Sequence, residues 1–151
     1  MILLDVGLSQ AVLGLKLDDW LLNSNVAFVN KGELVEAFIG QEFLAYTHPM
    51  YDSDLYYWHR HKVGGEGEID YLIQHNENVI PIEVKSGKGS TLKSMHLFLE
   101  SRPSAPYGIR FSTQNYSIYK RVRSYPLYAV AQALFDKQRI IFEYLTSGSS
   151  Q

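Results

Sequence analysis

An acid and a base stand two positions apart near the end of an apolar segment, IPIEVKSG at 80–87. Residues of a β-strand alternate between its two faces, so Glu83 and Lys85 project to one side and Val84 to the other. A carboxylate can bind a hard divalent cation such as Mg²⁺, and a neighbouring lysine can orient a water molecule or stabilise charge on a phosphate. The same spacing is also the common pattern of a surface ion pair.

A predicted hairpin brings a second acid to this pair. The polar turn HNEN at 75–78 separates two strand-like segments. If the hairpin is symmetric about this turn, Asp70 lies opposite Glu83, although a one-residue bulge would break that register. Facing carboxylates repel unless one is protonated or a cation lies between them, and Mg²⁺, which prefers carboxylate oxygens, would fit such a site. The alternative is a cross-strand Glu68–Lys85 ion pair that leaves Asp70 in solvent, and the pattern leaves both interpretations open.

The elements that must position these residues follow an ordered pattern of helices and strands. After an extended piece at 2–6, apolar spacing predicts helices at 8–15, 31–46, 90–101 and 127–137, the third with Ser90 or Thr91 as its N-cap. Strand patterns occur at 55–60, 68–74, 79–85, 107–111 and 116–119. The order helix, three strands, helix, strand predicts a layered α/β domain.

Length and composition predict a single folded domain, which we place at 1–145, and the polar ending TSGSSQ predicts a disordered tail at 146–151. Residues 1–30 are expected to form an N-terminal extension of the domain's core. The absence of cysteine excludes disulfides and thiolate metal sites, and favours a cytoplasmic location. The N-terminal segment MILLDVGL is predicted to be neither a signal peptide nor a membrane span. The net charge of -2 argues against nucleic-acid binding through bulk positive charge, but not against a local basic groove.

Taken in order, these segments resemble a known family. GEID at 67–70 and IPIEVKSG at 80–87 resemble the D…E-x-K signature of the PD-(D/E)XK nuclease superfamily. More closely, the chain resembles the C-terminal domain of unknown function found behind many bacterial and archaeal AAA-type ATPases, which is itself classed as PD-(D/E)XK-like. The further matching pieces are DVGL at 5–8, KGELVEAFIGQEF at 31–43, LYYWHR at 55–60 and STLKSMHLF at 90–98.

The resemblance implies a restriction-endonuclease-like core: a helix, a three-stranded meander, a helix and a strand, with a mixed central sheet flanked by helices. It implies a nuclease-like enzyme that hydrolyses phosphodiesters with Mg²⁺ or Mn²⁺. Glu36 matches the family's helical acid, Asp70 and Glu83 match its metal-binding acids, and Lys85 matches its catalytic lysine. Two further basic residues are expected to contact substrate phosphate: Lys93, by the resemblance, and Lys88, which flanks the same site.

The ATPase part of such relatives is missing from this chain. SGKGST at 86–91 lacks the spacing of a phosphate-binding loop, so we expect no ATP hydrolysis. Because DVGL lies almost at the first residue, the chain is expected to be an excised fragment or a shortened gene product. The expected partners are nucleic acid and, in full-length relatives, the ATPase module.

Two other functions are weighed against the nuclease. The first is a non-catalytic accessory module that binds DNA or a protein partner for an ATPase, which the acidic pI of about 6.2 favours. The second is a domain that forms homo-oligomers through its aromatic strand region or its C-terminal helix.

Three further groups of residues are interpreted structurally. The aromatic run 56–58 is expected to pack the sheet against helices. His59 and His61 are expected to be solvated, and the basic residues at 120–123 are expected to form a solvated turn.

Overall fold

The computed structural model describes residues 5–12, 31–46, 55–61, 66–75, 77–86 and 91–134. Within these ranges the helices are α1 (Val6–Val12), α2 (Lys31–Ala45) and α3 (Lys93–Ser101), with a 3-10 helix (Leu127–Ala129) that leads into helical residues 130–134. The strands are β1 (Tyr56–Arg60), β2 (Gly67–His75), β3 (Asn78–Lys85), β4 (Gly108–Ser112), β5 (Ser117–Tyr119) and β6 (Val122–Pro126). No helix in this part of the chain is both long and apolar enough to span a membrane.

The strands form a single mixed sheet in the order β1-β2-β3-β4-β6-β5. β1, β2 and β3 are an antiparallel meander, whereas β3 pairs with β4, and β4 with β6, in parallel. A parallel neighbour requires a crossover connection, which α3 provides between β3 and β4. The predicted α/β class and the predicted order of helix, meander, helix and strand are confirmed.

Each face of the sheet has its own apolar cluster. Ile82 and Val84 of β3 pack with Ile39 and Phe43 of α2 on one face. On the other face, residues of α3 such as Phe98 pack with residues of β2 and β6. Because β3 is covered on both faces, each of its residues from 80 to 84 is buried, and most of them are apolar. Any polar residue in this stretch is therefore forced into the interior.

Two predicted helix starts differ from the structure. α1 begins at Val6, inside the segment predicted to be extended, while the predicted residues 13–15 lie outside the described ranges. α3 begins at Lys93 with Leu92 as its N-cap and without a side-chain capping bond, so the predicted cap Thr91 is wrong. Ser90, the other predicted cap, lies outside the described residues.

Strand β6 was not predicted, because its first residues were interpreted as a solvated basic turn. The turn itself is present at Lys120, which has a positive φ of 52°, but the chain then enters the sheet between β4 and β5. The guanidinium of Arg121 donates to the backbone carbonyls of Leu99 and Ala105, and that of Arg123 stacks 4.0 Å from the ring centre of Tyr107. These contacts allow one arginine to precede the strand and another to lie within it, since both charged groups have partners within the fold.

Candidate active site

The pair Glu83–Lys85 lies at the carboxyl end of β3. Lys85 Nζ is 2.9 Å from Glu83 Oε1, which confirms that the two side chains share a face. Glu83 is only 3% exposed. Burial lowers the pKa of Lys85, but its bond to Glu83 and the nearby carboxylates outweigh this effect and raise it, so the amine stays protonated.

The hairpin between β2 and β3 has the predicted register over most of its length. Its pairs run from His75↔Asn78 to Tyr71↔Ile82. The two residue numbers of each pair add up to the same value, as symmetry about the turn requires. The ladder stops there, one step before the predicted pair of Asp70 and Glu83. Asp70 Oδ2 instead accepts a hydrogen bond of 2.7 Å from the backbone N–H of Val84.

A β-bulge explains why the ladder stops at this point. Tyr56 pairs with Leu72 and Trp58 with Ile69, so the single residue Tyr57 of β1 lies opposite two residues of β2, Asp70 and Tyr71. Bulges re-aim side chains and are common beside active sites. Asp70 and Tyr71 consequently line the same cavity although they are consecutive in sequence. The prediction that Asp70 pairs with Glu83 across the ladder is therefore wrong.

Helix α2 brings Glu36 to this cavity. The cavity has a volume of about 470 Å³ and is lined by Glu33, Glu36, Ala37, Leu55, Tyr56, Tyr57, Glu68, Asp70 and Tyr71. The hydroxyl of Tyr71 donates a 2.9 Å hydrogen bond to the backbone carbonyl of Glu36, which ties α2 to β2 at this residue. Two of the predicted acids, Glu36 and Asp70, thus lie in one cavity.

Glu36 and Asp70 lie within electrostatic range of Lys85, and Asp70 also lies within range of Glu83. Burial, followed by the charge of Asp70, raises the pKa of Glu36 from 4.5 to about 7, although Lys85 opposes the shift. Burial also raises the pKa of Asp70, with a contribution from Glu83, against the opposing effects of the Val84 N–H and Lys85. Such shifts, produced by burial together with specific charged neighbours, are typical of functional sites and are also found in structural ion-pair networks.

The donor chemistry of this group fits a hard divalent cation. All three predicted ligands are carboxylates, which Mg²⁺ and Mn²⁺ prefer. Glu83 Oε2 is buried and has no hydrogen-bond donor among the described residues, so this oxygen lacks the partner that a buried carboxylate needs. Within the described ranges, no three His, Cys, Asp or Glu side chains are grouped closely enough to hold a metal as they stand. A cation would therefore require the side chains of Glu36, Asp70 and Glu83 to move towards it.

The cross-strand ion pair of the alternative interpretation is not formed between the described side chains, because Lys85 pairs with Glu83 and not with Glu68. Of the predicted phosphate contacts, Lys93 is exposed at the first residue of α3, and Lys88 lies outside the described residues. His59 and His61 are both exposed, as expected, with ring centres 4.0 Å apart.

Sequence reasoning missed two buried polar residues beside the pair on β3. On the parallel strand β4, Arg110 is in register with Glu83 and Ser112 with Lys85. Their neighbours Ile109 and Phe111 belong to the α2-side cluster, so Arg110 and Ser112 project to the same face as Glu83 and Lys85. The only sequence signal for this neighbourhood was the charged Arg110 within the apolar segment GIRFS. Its pairing with Glu83 depends on the crossover between β3 and β4, which sequence periodicity does not reveal.

The fold and the site together define a mixed α/β domain in which Glu36 and Asp70 line one cavity, while the ion pair of Glu83 and Lys85 lies at the carboxyl end of strand β3 and is not among the described residues that line that cavity. Residues 31–130 match the family model of DUF4143, a domain of unknown function. Since this match covers more than half of the chain, the protein belongs to that family. The matched range includes all four predicted catalytic residues, Glu36, Asp70, Glu83 and Lys85. No curated protein and no solved structure matches the chain.

Proposed function

We propose that this domain is a divalent-metal-dependent, nuclease-like enzyme that hydrolyses phosphodiester bonds in nucleic acid. One observation carries the proposal: buried Glu83 binds Lys85 through one carboxylate oxygen, while its other oxygen has no donor among the described residues. A purely structural ion pair would be expected to satisfy both oxygens, because an unsatisfied buried oxygen costs stability. The open oxygen supports a role in holding a cation.

Lys85 acts as a cation in this proposal, not as a general base. Its raised pKa keeps the amine charged at neutral pH, so it can donate hydrogen bonds but cannot accept a proton. A charged amine fixed 2.9 Å from Glu83 is suited to stabilise the negative charge that develops on a phosphate, and to orient the attacking water.

Glu36, Asp70 and Glu83 would hold Mg²⁺ or Mn²⁺. When bound, such a cation polarises the phosphate oxygens and lowers the pKa of its water ligand. The chain supports this arrangement with two backbone contacts. The Tyr71 hydroxyl fixes the backbone of Glu36, and the Val84 N–H holds one oxygen of Asp70. The backbone of Glu36 and the carboxylate of Asp70 are thereby held by groups whose own positions are set by the sheet.

A cleavage assay with matched lysine variants tests the proposal. Wild-type protein, Lys85→Ala and Lys120→Ala are incubated with plasmid and single-stranded DNA in Mn²⁺ and in EDTA. Lys120 is the control because it is an exposed lysine in the turn before β6. We expect Mn²⁺-dependent cleavage by the wild type and Lys120→Ala, and its loss in Lys85→Ala. Equal activity in all three proteins, or activity in none of them, would contradict the proposal.

A second candidate is a non-catalytic accessory module that binds DNA or a protein partner for an ATPase. The hydrogen bond from Val84 N–H to Asp70 favours it, because this bond satisfies the backbone where the ladder ends and gives Asp70 a structural purpose. This candidate predicts no cation binding that depends on Glu83, so a cation titration separates the two.

A further inference from the structure

The exposed tyrosines of β1 lie at the cavity that contains the acids. The aromatic run 56–58 was expected to pack against helices, and Trp58 does so, with its ring centre 5.3 Å from that of Phe98. Tyr56 and Tyr57 are instead 60% and 73% exposed, and both line the cavity. The packing prediction is therefore wrong for these two residues, whose rings remain accessible from solvent.

The bulge places Tyr57 directly opposite Asp70 and Tyr71. An exposed ring is thus set across from a carboxylate of the proposed site, on an edge strand of the sheet. Exposing so large an aromatic surface is unfavourable, so a ring held at the mouth of a cavity suggests that a ligand covers it.

The lining of the cavity indicates which part of a nucleic acid would enter. Three tyrosines provide aromatic surface, and four acids, Glu33, Glu36, Glu68 and Asp70, provide hydrogen-bond acceptors. Among the described residues that line the cavity, none is basic. Without a bound cation these acids would repel a phosphate, whereas an uncharged aromatic ring that carries an amino group can stack on the tyrosines and donate a hydrogen bond to a carboxylate.

We propose that this cavity binds one unpaired nucleobase, which stacks on Tyr57 and donates a hydrogen bond from its exocyclic amino group to Glu33 or Glu68, the two lining acids that are not proposed metal ligands. The preferred substrate is then single-stranded nucleic acid or an unpaired end, because the bases of an intact duplex are already stacked and paired. Bases with an amino group, such as cytosine, are favoured over thymine. This inference rests on the proposed function, which places the phosphate next to the bound base at the proposed metal site.

Fluorescence anisotropy with labelled oligonucleotides tests the inference through binding alone. Short oligo-dC, oligo-dT and a duplex of equal length are titrated in Ca²⁺, and gels verify that each probe stays intact. Stacking on one aromatic side chain is typically worth enough that Tyr57→Ala should weaken oligo-dC binding roughly 5- to 150-fold. Tyr57→Phe keeps the ring and should bind like the wild type. Tyr128→Ala, at an exposed tyrosine (86%) that does not line the cavity, should have no effect.

The inference is overturned if Tyr57→Ala binds oligo-dC as the wild type does, or if the duplex binds as tightly as the single strand. Tighter binding of oligo-dT than of oligo-dC would refute the role of the acids as acceptors. Tyr57-dependent binding by a protein that cleaves nothing would contradict the proposed function alone. Metal-dependent cleavage that is indifferent to Tyr57 would contradict this inference alone.

Discussion

Replacing Glu36 with glutamine should stabilise the metal-free protein at alkaline pH. Glu36 and Asp70 line the same cavity, and burial together with the charge of Asp70 raises the pKa of Glu36 from 4.5 to about 7. Ionising Glu36 in the folded protein therefore costs free energy. Glutamine has nearly the same shape but no charge, so it removes this cost while keeping the hydrogen-bonding side chain.

The sign and the magnitude follow from proton linkage. Because the folded pKa of Glu36 is raised, its protonated form favours folding below pH 4.5, and this contribution is lost as the pH rises through about 7. The pKa of Glu36 differs by about 2.5 between the folded and unfolded states, and one pKa unit corresponds to ~1.36 kcal/mol. The stabilisation by glutamine therefore has an upper limit of about 3.4 kcal/mol. Glu36 is only partly buried. Solvent screening therefore reduces the expected stabilisation to about 1–2 kcal/mol.

Urea denaturation in EDTA at several pH values measures this effect. The free energy of unfolding of Glu36→Gln should exceed that of the wild type by about 1–2 kcal/mol at pH 8, and the two should converge near pH 4. Glu42→Gln is the matched control, since Glu42 is on the same helix but does not line the cavity. An equal difference at both pH values, or destabilisation at pH 8, would refute the electrostatic argument.

Other substitutions test the packing around the site. Lys85→Met should lower the free energy of unfolding by about 2–3 kcal/mol by leaving buried Glu83 without its ion-pair partner. Adding Glu83→Gln should recover part of this loss, as a double-mutant cycle in urea would show. Tyr71→Phe removes one hydrogen bond to α2 and should lower the free energy of unfolding, measured by thermal unfolding, by about 1 kcal/mol. Gly108→Ala should cost about 1–3 kcal/mol, because its Cβ would overlap the Met95 sulfur, and unchanged stability would contradict the tight contact.

The local part of the site could be predicted from sequence. The E-x-K spacing placed Glu83 and Lys85 on one face because alternation along a strand is a local property, and the polar turn set the register from Tyr71↔Ile82 to His75↔Asn78. The bulge at Asp70 could not be predicted in this way, since it depends on how β1 pairs with β2. Neither residue type nor spacing at Asp70 distinguishes a bulged from a regular strand.

The remaining parts depend on tertiary contacts. The register of Arg110 with Glu83 requires the crossover through α3, and strand β6 is stabilised by arginine contacts with distant backbone carbonyls and with Tyr107. Glu36 could be selected from the acids of its helix only through the family resemblance. Its approach to Asp70 depends on how α2 packs on the sheet, which the sequence pattern of the helix does not determine.

Calorimetric titration with Mn²⁺ tests the central claim most directly, because it detects cation binding without requiring cleavage. Wild-type protein is compared with Glu83→Gln and with the control Glu77→Gln, at an exposed residue in the hairpin turn. The proposed site predicts saturable Mn²⁺ binding by the wild type and by Glu77→Gln, and its loss or severe weakening in Glu83→Gln. Identical titrations for all three folded proteins would contradict the claim that Glu83 holds a metal.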